Sequence, residues 1–483
     1  DGAWMAVLAR EPEAGEQVLK VSSKVERSWL QDQWNKGYAV VAAAADLPDL
    51  IKGNTIGNDA MWSALTQIGK PGFNDVYEDF IRHFSTEPAG LVALRRLISS
   101  ELMDKQYDEA VEILKEHREQ LPAFRAQIDA TIDVLTKPAQ DAQVKNLGKK
   151  VNSAAPEYEA VPTADGQRIY FTGNGRPGGM GGINRAQTED VFYSDRVDGQ
   201  WTEASVIPPP LNSANHNESA NGISTGGNVM FLFGSSRTDG LGRGDNFASH
   251  RTKNGWSPPK PFPKPYNTAF FDSEAIPSPD GRAIFFVSDR PGGIGPTAFK
   301  GSIYAGDLLG NSDIYVIPID KDGQWGDPVN LGASINTPFP ERSPFLHPDG
   351  RTLYFSSAGH NSLGMLDVFV SKRTGPGWTD WSEPRNLGKE VNGPGKDWGY
   401  RVSTDGGEAY FAKGTARRSQ DIHTIKLPPA FRPEPVAKID GRITDSEGSP
   451  LKASIRWRDP RTNELLGQMS TNPEDGTYFL VLP

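Results

Sequence analysis

Residues 280–293 read DGRAIFFVSDRPGG, and this stretch decides the fold because the chain repeats it. A two-residue turn leads into a strand of aromatic and β-branched residues, and a glycine-rich loop follows. The turn and the strand recur in the same register at 165–176, 226–237, 349–360 and 405–413. Five copies of one block predict a repeat architecture in which each copy is one structural unit.

Further features share the register of this block. An Asn followed by a small residue precedes each copy, and a Trp-bearing strand closes four of them. An Asp opens a third strand after the loop of every copy: Asp190, Asp245, Asp313, Asp367 and Asp421. Four short strands per repeat are typical of the blade of a β-propeller. The sequence therefore predicts a five-bladed β-propeller over residues 143–429.

The fifth copy lacks the closing strand, and two prolines follow it at once. A sequence similar to this missing strand precedes the first copy, where Asn146-Leu147-Gly148 matches Asn330-Leu331-Gly332 and Asn386-Leu387-Gly388. A ring of blades leaves an open sheet edge unless its first and last blades are tied together. We therefore expect strand 143–149 to complete the fifth blade and close the ring.

Two segments that lack this repeat flank the predicted propeller. Residues 1–140 predict a helical domain because apolar residues recur at three- and four-residue steps, and Asp104–Ala110 resembles the helix junction of a tetratricopeptide repeat. Residues 436–483 alternate apolar and polar residues, which predicts strands. They resemble the opening of a carboxypeptidase-regulatory-like domain, a transthyretin-like β-sandwich, and we expect the sandwich to be incomplete. The predicted fold class is multidomain, α plus all-β.

The composition argues against several classes of function. The chain has 51 basic and 61 acidic residues and a net charge of −10, whereas a nucleic-acid binder needs a basic face. Cysteine is absent, which excludes disulfides, thiolate nucleophiles and Cys–zinc sites. No apolar run approaches the roughly 18 residues of a membrane span. The seven His lack the spacing of metal ligands, so we predict neither a metal site nor a cofactor.

The repeat resembles that of a known family. Its pattern runs from Glu274 through Asp280-Gly281 and Asp313-Ile314-Tyr315 to Asn330-Leu331-Gly332, and it is similar to the WD40-like propeller repeat shared with TolB. The order of the three segments resembles envelope proteins of the Bacteroidota, some of which serve type IX secretion and end in an OmpA-like peptidoglycan-binding domain. The resemblance implies a periplasmic, outer-membrane-associated protein. It places any cell-wall link in a domain beyond Pro483.

Each predicted inner strand begins near an acidic residue. Because inner strands line the channel of a propeller, we expect five carboxylates to converge near one mouth: Glu159, Glu218, Glu274, Glu341 and Asp397. Three interpretations stay open: scaffold acids with local hydrogen bonds, a site for a cation or cationic peptide, and carboxylates for glycoside hydrolysis. Repetition in every copy favours the scaffold, because catalysis needs acids in unequal roles.

Two more sets of charged residues share a register. The Asp that opens each third strand is expected to accept N–H bonds from the preceding turn, with calcium binding as the alternative. Arginines of the glycine-rich loops predict a basic rim on one face of the propeller: Arg176, Arg237 and Arg290.

The favoured function is a non-enzymatic periplasmic scaffold that binds envelope or secretion-system proteins. The alternative is a five-bladed carbohydrate-active enzyme that uses Glu159, Glu218 and Glu274. A third possibility is a TolB-like partner of a peptide inserted into the channel. The chain begins at Asp1 rather than Met, so we expect a processed N-terminus that is compatible with export.

Overall fold

The structure is a computed structural model, and it divides the chain into two compact units. Within the described residues, the first unit contains the residues up to Lys137 with Leu363–Met365, and the second unit contains the rest. The residues that the structure describes are 5–6, 41–42, 74–83, 85–86, 88–138, 143–180, 188–235, 237, 239–242, 244–294, 312–414, 420–463 and 465–482.

The first unit is mainly helical where it is described. Its helices are α1 (Asn74–His83), α2 (Pro88–Leu97), α3 (Ser99–Met103), α4 (Tyr107–His117) and α5 (Arg125–Thr136), and its strands β1 (Met5–Ala6) and β2 (Val41–Ala42) pair with each other. Apolar side chains at helical spacing are buried, among them Leu94, Ile98 and Leu114. None of the described helices has the length and apolar character needed to cross a membrane. A tetratricopeptide arrangement stays a prediction.

The second unit contains five antiparallel sheets, one for each sequence repeat, and a path of four strands runs through each. Blade 1 has β4 (Glu157–Pro162), β5 (Arg168–Asn174), β6 (Glu189–Val197), β7 (Gln200–Trp201) and β8 (Ser205–Val206). Blade 2 has β9 (Ser219–Ile223), β10 (Val229–Gly234), β11 (Asp245–Thr252), β12 (Gly255–Trp256) and β13 (Lys260–Pro261).

The other three blades repeat this order. Blade 3 has β14 (Asp272–Pro277), β15 (Ala283–Ser288), β16 (Asp313–Pro318) and β17 (Val329–Asn330). Blade 4 has β18 (Glu341–Leu346), β19 (Thr352–Ser357), β20 (Asp367–Lys372) and β21 (Arg385–Asn386). Blade 5 has β22 (Asp397–Val402), β23 (Glu408–Gly414) and β24 (Gln420–Lys426), followed by β3 (Val144–Asn146). The five-bladed β-propeller is the fold that the repeats predict.

The middle of the second strand of each blade is apolar because both of its faces are buried. In β15, Phe285 and Val287 pack towards blade 4, in a cluster that includes Phe355. Ile284 and Phe286 point the opposite way and pack towards blade 2. Successive side chains of a strand alternate between its faces, so a continuous apolar run fills the spaces between neighbouring blades.

The N-terminal strand β3 closes the ring. It pairs with β24 in the antiparallel register Asn146 to His423, and the Leu147 N–H donates to the Ile422 carbonyl at 3.1 Å. The Asn152 side chain adds two bonds, to the N–H of Ile422 at 2.8 Å and to its carbonyl at 2.9 Å. The same paired bonds join each later repeat to the third strand of the blade before it, through Asn212, Asn267, Asn336 and Asn392.

The C-terminal segment forms two separate two-stranded sheets. β25 (Ala437–Arg442) pairs with β28 (Thr477–Leu482), and β26 (Ser454–Arg458) pairs with β27 (Leu465–Ser470). A complete transthyretin-like sandwich stays a prediction.

This segment and the linker before it contact the propeller. The Asn228 amide, next to a turn of blade 2, donates to the Ser470 carbonyl at 2.6 Å. In the proline-rich linker, the Phe431 carbonyl accepts from the Tyr354 hydroxyl at 2.6 Å. Backbone groups of the chain after the last blade are therefore held by side chains of the ring.

Candidate functional site

The pairing of the inner strands sorts the predicted channel acids into two sets. Four inner strands begin with an acid, and in blade 2 the acid Glu218 directly precedes β9; we call this the first position, and its residues are Glu157, Glu218, Asp272, Glu341 and Asp397. Glu159 and Glu274 lie two residues further along, at the third position. The expected single ring of five carboxylates is therefore corrected. Blades 1 and 3 carry an acid at both positions, and the sequence pattern alone did not separate the two.

The acid at the first position holds the turn that enters its own blade. Glu341 is buried, and it accepts bonds from the Thr337 N–H at 2.9 Å, the Thr337 hydroxyl at 2.7 Å and the Ser357 hydroxyl at 2.7 Å. The residue after the repeated Asn makes the corresponding bonds in the other blades: Ser153 to Glu157, Ser213 to Glu218, Thr268 to Asp272 and Gly393 to Asp397. These bonds fit the scaffold interpretation of the repeated acid.

The loop arginines lie inside the blades rather than on a basic rim. Each pairs with the first-position acid of its own blade: Arg176 with Glu157 at 2.6 Å, Arg237 with Glu218 at 3.5 Å and Arg290 with Asp272 at 2.7 Å. Their side chains are only 8 to 13 % exposed. The predicted rim is corrected because a buried carboxylate needs a charged or hydrogen-bonding partner, and the loop supplies it.

The Asp that opens a third strand accepts bonds from its preceding turn. Asp190 accepts from the Met180 N–H at 3.0 Å, Asp245 from Leu241 at 2.6 Å and Asp313 from Ile294 at 2.7 Å. An Asn side chain donates to Asp313, Asp367 and Asp421 at 2.6, 2.8 and 2.6 Å. The bonds match the predicted turn-capping role of these residues.

The inner strands are joined through Arg401, the fifth residue of β22. Its guanidinium donates to Glu159 Oε2 at 3.0 Å, and both side chains are almost completely buried. It also donates to the carbonyls of Asn221 at 3.2 Å, Ser343 at 3.2 Å and Pro344 at 3.1 Å. A single side chain of blade 5 therefore bonds to blades 1, 2 and 4.

Glu274 of blade 3 joins the same cluster. Its carboxylate accepts from Arg342, with Nε at 2.7 Å from Oε1, and from the Ser343 N–H. The Ser343 hydroxyl donates to Glu159 Oε1 at 3.1 Å. Residues Glu159, Glu274, Arg342, Ser343 and Arg401 thus form one connected set, which we call the axial network. Blades 1, 3, 4 and 5 contribute side chains to the axial network, and blade 2 contributes the carbonyl of Asn221.

Backbone conformation at the third position makes this convergence possible. Glu159, Glu274 and Ser343 have φ values of 50°, 53° and 49°, and Gly399 holds the equivalent position of blade 5 at 66°. The pairing register of each of these strands shifts at the same point, which marks a bulge. Bulges redirect side chains, and here they bring three of the four residues into the axial network.

Burial decides the titration of the carboxyl groups. Loss of solvent raises the pKa of Glu159 to about 7; Arg401 opposes this shift and the nearby Glu274 adds to it. Loss of solvent also raises the pKa of Glu218 to about 7, against hydrogen bonds from Ser213. The two carboxylates of the axial network lie beside two guanidinium groups, so its charges balance when all four groups are ionised.

This arrangement does not assemble the three acids of the alternative enzyme. Glu159 and Glu274 belong to the axial network, whereas Glu218 is bound to Ser213 and Arg237 within blade 2. Among the residues that the structure describes, no group of three or more His, Asp or Glu side chains is placed to hold a metal ion.

Sequence reasoning missed the two arginines of the axial network. Arg401 occupies a position that is Val161, Ile276 or Phe345 in other blades, so a charged residue there departs from the repeat. That departure was the available signal.

A separate groove of about 420 Å³ lies on the helical unit, and four of its six lining residues carry a carboxyl group. It is lined by Glu101, Gln106, Asp108, Glu109, Glu112 and Ile113 of α3, α4 and the turn between them. Glu112 pairs with Lys115 at 2.8 Å, so the negative charge of this surface comes from the other three carboxylates. A negative surface favours cationic ligands over anionic ones.

No protein-family model and no curated protein sequence matches the chain. Among solved structures, a putative TolB from Agrobacterium tumefaciens is 14% identical, with a TM-score of 0.33 and coverage of 71% of this chain and 96% of that one. A thermostable family-43 glycoside hydrolase is 16% identical, with a TM-score of 0.36 and coverage of 59% and 97%. An α-L-arabinofuranosidase from Lactobacillus brevis is 13% identical, with a TM-score of 0.36 and coverage of 58% of this chain and 92% of that one. The propeller assignment rests on the strand pairing of this chain.

The raised pKa of Glu159 gives a testable pH dependence. The ordinary value is about 4.5 and the folded value about 7, so its contribution to stability is complete below pH 4.5 and is lost as the pH rises through 7. Glu159→Gln mimics the protonated form. We therefore expect the melting temperature of the unsubstituted protein, minus that of the variant, to fall between pH 5 and pH 8. A difference that stays constant across this range would contradict the assignment.

Proposed function

We propose that the protein is a non-enzymatic scaffold that binds protein partners in an outer-membrane-associated assembly of the periplasm. The observation that carries the proposal is the internal pairing of the predicted site acids. Glu159 and Glu274 are bound within the axial network, and Glu218, Glu341 and Asp397 hold the turns of their own blades. Carboxylates used in this way stabilise a ring, whereas a glycosidase needs two acids that face a sugar.

The kinds of module also support a binding role. A propeller offers a rigid ring of loops, and a helical unit with an acidic groove offers a second surface for a cationic protein segment. The Asn and acid bonds that recur in each blade make the ring a stable platform. Rigid surfaces bind partners at low entropic cost because little has to become ordered.

The cellular setting comes from the sequence resemblance alone. The order of helical repeat, TolB-like propeller and regulatory-like segment is similar to that of PorE, a component of type IX secretion. We therefore propose the periplasm as the compartment and type IX secretion as one assembly to test. Fractionation of cells that carry the tagged protein checks the compartment, and recovery in the cytoplasm would contradict it.

Affinity purification of the tagged protein from its native envelope tests the partner role. Mass spectrometry is expected to identify outer-membrane or secretion-system proteins in stoichiometric amounts. Purification of the protein alone under gentle extraction, together with turnover of a glycan by the pure chain, would overturn the proposal in favour of the enzyme.

Glu274→Gln separates the scaffold from the alternative enzyme. Arg342 and the Ser343 N–H donate to different oxygens of Glu274, so Gln can accept from only one of them and leaves the Arg342 guanidinium without its carboxylate. We expect a loss of about 3–5 kcal/mol in unfolding free energy, with partner recovery retained below the melting temperature and no glycan release from either protein. Glu341→Gln is the matched control, since its acid lies outside the catalytic three. If the unsubstituted protein releases sugar and only Glu274→Gln loses that activity with its fold intact, the enzyme is the correct reading.

A further inference from the structure

The turn between the first two strands of blade 2 departs from the repeat. In the other four blades an Asp of this turn accepts the backbone N–H two residues later at 2.9 or 3.0 Å: Asp165, Asp280, Asp349 and Asp405. Blade 2 has Gly226 at this position, and the Asn228 N–H donates to the Ser224 hydroxyl at 3.1 Å. Asp side chains stabilise turns through such bonds. The glycine therefore has a reason outside the blade.

The backbone conformation does not explain Gly226. The residue of this turn with a positive φ is Gly227, at 72°, and the other four blades place a glycine at the equivalent point with φ between 68° and 71°. The backbone at Gly226 lies outside that region, so a side chain there would cause no strain in the backbone. The space beside Gly226 is what excludes a side chain, because a Cβ atom there would overlap with Cε of Met469.

Met469 belongs to β27, which lies across the turns of blades 2 and 3. The Asn228 amide donates to the Ser470 carbonyl at 2.6 Å, and the Gln468 N–H donates to the Asp280 carbonyl at 3.3 Å. Three consecutive residues of β27 thus contact the ring, two through backbone hydrogen bonds and the middle one through its side chain. The hairpin of β26 and β27 has only two strands, and such hairpins are marginally stable by themselves. Its contacts with the ring supply the missing support.

The linker before this hairpin meets two further turns. Pro433 packs against the turn of blade 5, where a Cβ atom at Gly406 would lie 2.9 Å from Cγ of Pro433. The next residue, Glu434, donates its N–H to the Asp349 carboxylate of blade 4 at 3.0 Å and pairs with Lys372 at 3.1 Å. The chain after the last blade therefore contacts the turns of blades 5, 4, 3 and 2 in that order along its sequence.

We propose that the hairpin of β26 and β27 docks in cis on the turns of blades 2 and 3, and that Gly226 determines this docking site by leaving room for Met469. Met suits such a gap because its unbranched, flexible side chain adapts to irregular surfaces. An Asp at position 226 would fill the gap and bring a carboxylate against the apolar methyl group. The turns of blades 2 and 3 are then occupied by the chain itself. This proposal does not rest on the scaffold function.

Gly226→Asp tests the docking site in the full chain. It restores the residue of the other four turns, so we expect blade 2 to stay folded and the hairpin to undock. Hydrogen–deuterium exchange, followed by mass spectrometry of peptic fragments, measures both effects. The amides of Leu465–Ser470 are expected to exchange about tenfold faster or more, because their opening no longer breaks contacts with the ring. The amides of Val229–Gly234 in β10 should exchange at an unchanged rate.

Gly395→Asp is the matched control, because a Cβ atom at Gly395 would meet no atom within 4 Å. It should leave the exchange of Leu465–Ser470 unchanged. Adding Met469→Ala to Gly226→Asp removes the overlapping methyl group and is expected to slow that exchange again; no slowing would contradict the role of Met469. Equal exchange of Leu465–Ser470 in Gly226→Asp and in the unsubstituted chain would overturn the proposal, and so would equal acceleration by Gly395→Asp.

Asn228→Ala supplies the test if Gly226→Asp also disturbs β10. It removes the donor to Ser470 and adds no atoms, so the exchange of Leu465–Ser470 should again accelerate, and an unchanged rate would refute the docking. Each rate is measured at two protein concentrations. A rate that is independent of concentration supports docking in cis, whereas slower exchange at the higher concentration would show docking on a second copy and overturn the proposal.

Discussion

A chain that begins at Gly148 is expected to unfold well below the temperature at which a chain beginning at Pro138 unfolds. The two chains both lack the helical unit and differ mainly by β3, the strand that completes blade 5. Removing β3 exposes the edge of β24 and loses its ladder bonds, including the Leu147 to Ile422 bond. At about 1 kcal/mol for each bond, the loss is about 4 kcal/mol. For a chain of this size, the loss corresponds to a fall of about 5 °C in melting temperature.

Thermal unfolding followed by tryptophan fluorescence measures the difference, and light scattering reports association through the open edge. The chain that begins at Pro138 is the matched control, because it keeps Val144–Asn146. Asn152 remains in both chains, so the comparison isolates the strand from the Asn152 bonds to Ile422. Coincident melting curves would show that the ring does not need β3 to stay closed.

The propeller was predictable because its blades obey one local rule. Each repeat carries its own turn, apolar strand and Asp, and alternation along one strand already places side chains between two neighbouring blades, as with Phe285 and Phe286. The closing strand was also predictable, since Asn146-Leu147-Gly148 repeats the sequence motif that ends blades 3 and 4. Local patterns that recur five times give the fold without any knowledge of long-range contacts.

The candidate site was less predictable because it depends on departures from the repeat. Glu157 and Glu159 lie in the same blade and look alike in sequence, yet one holds a turn through Ser153 and the other meets Arg401, 242 residues away. Only the bulged register decides which acid points to the axis. The flanking segments carry one weak pattern each, so their finer assignment stays a prediction.

Replacing Arg401 by Met is expected to be the most damaging single substitution in the propeller. Met has a similar length and no charge, so Glu159 keeps its burial and loses its guanidinium partner. The carbonyls of Asn221, Ser343 and Pro344 lose a donor at the same time. Removing one partner of a buried ion pair costs about 3–5 kcal/mol, because the remaining charge is left uncompensated. Arg351→Met, at an exposed position of blade 4, is the control and should change little.

The pH dependence of stability separates the loss of the Arg401–Glu159 ion pair from a simple loss of packing. Without Arg401 the pKa of Glu159 rises further above 7, since Arg401 is the main group that lowers it. The variant therefore takes up a proton at Glu159 and is expected to recover part of its stability at pH 5.5 relative to pH 8. Adding Glu159→Gln to Arg401→Met removes the unpaired charge and should restore stability at pH 8. Urea unfolding at both pH values measures these differences. If Arg401→Met costs the same at pH 5.5 and pH 8, and the double variant is no more stable than the single one, the axial network contributes packing and not ion pairing.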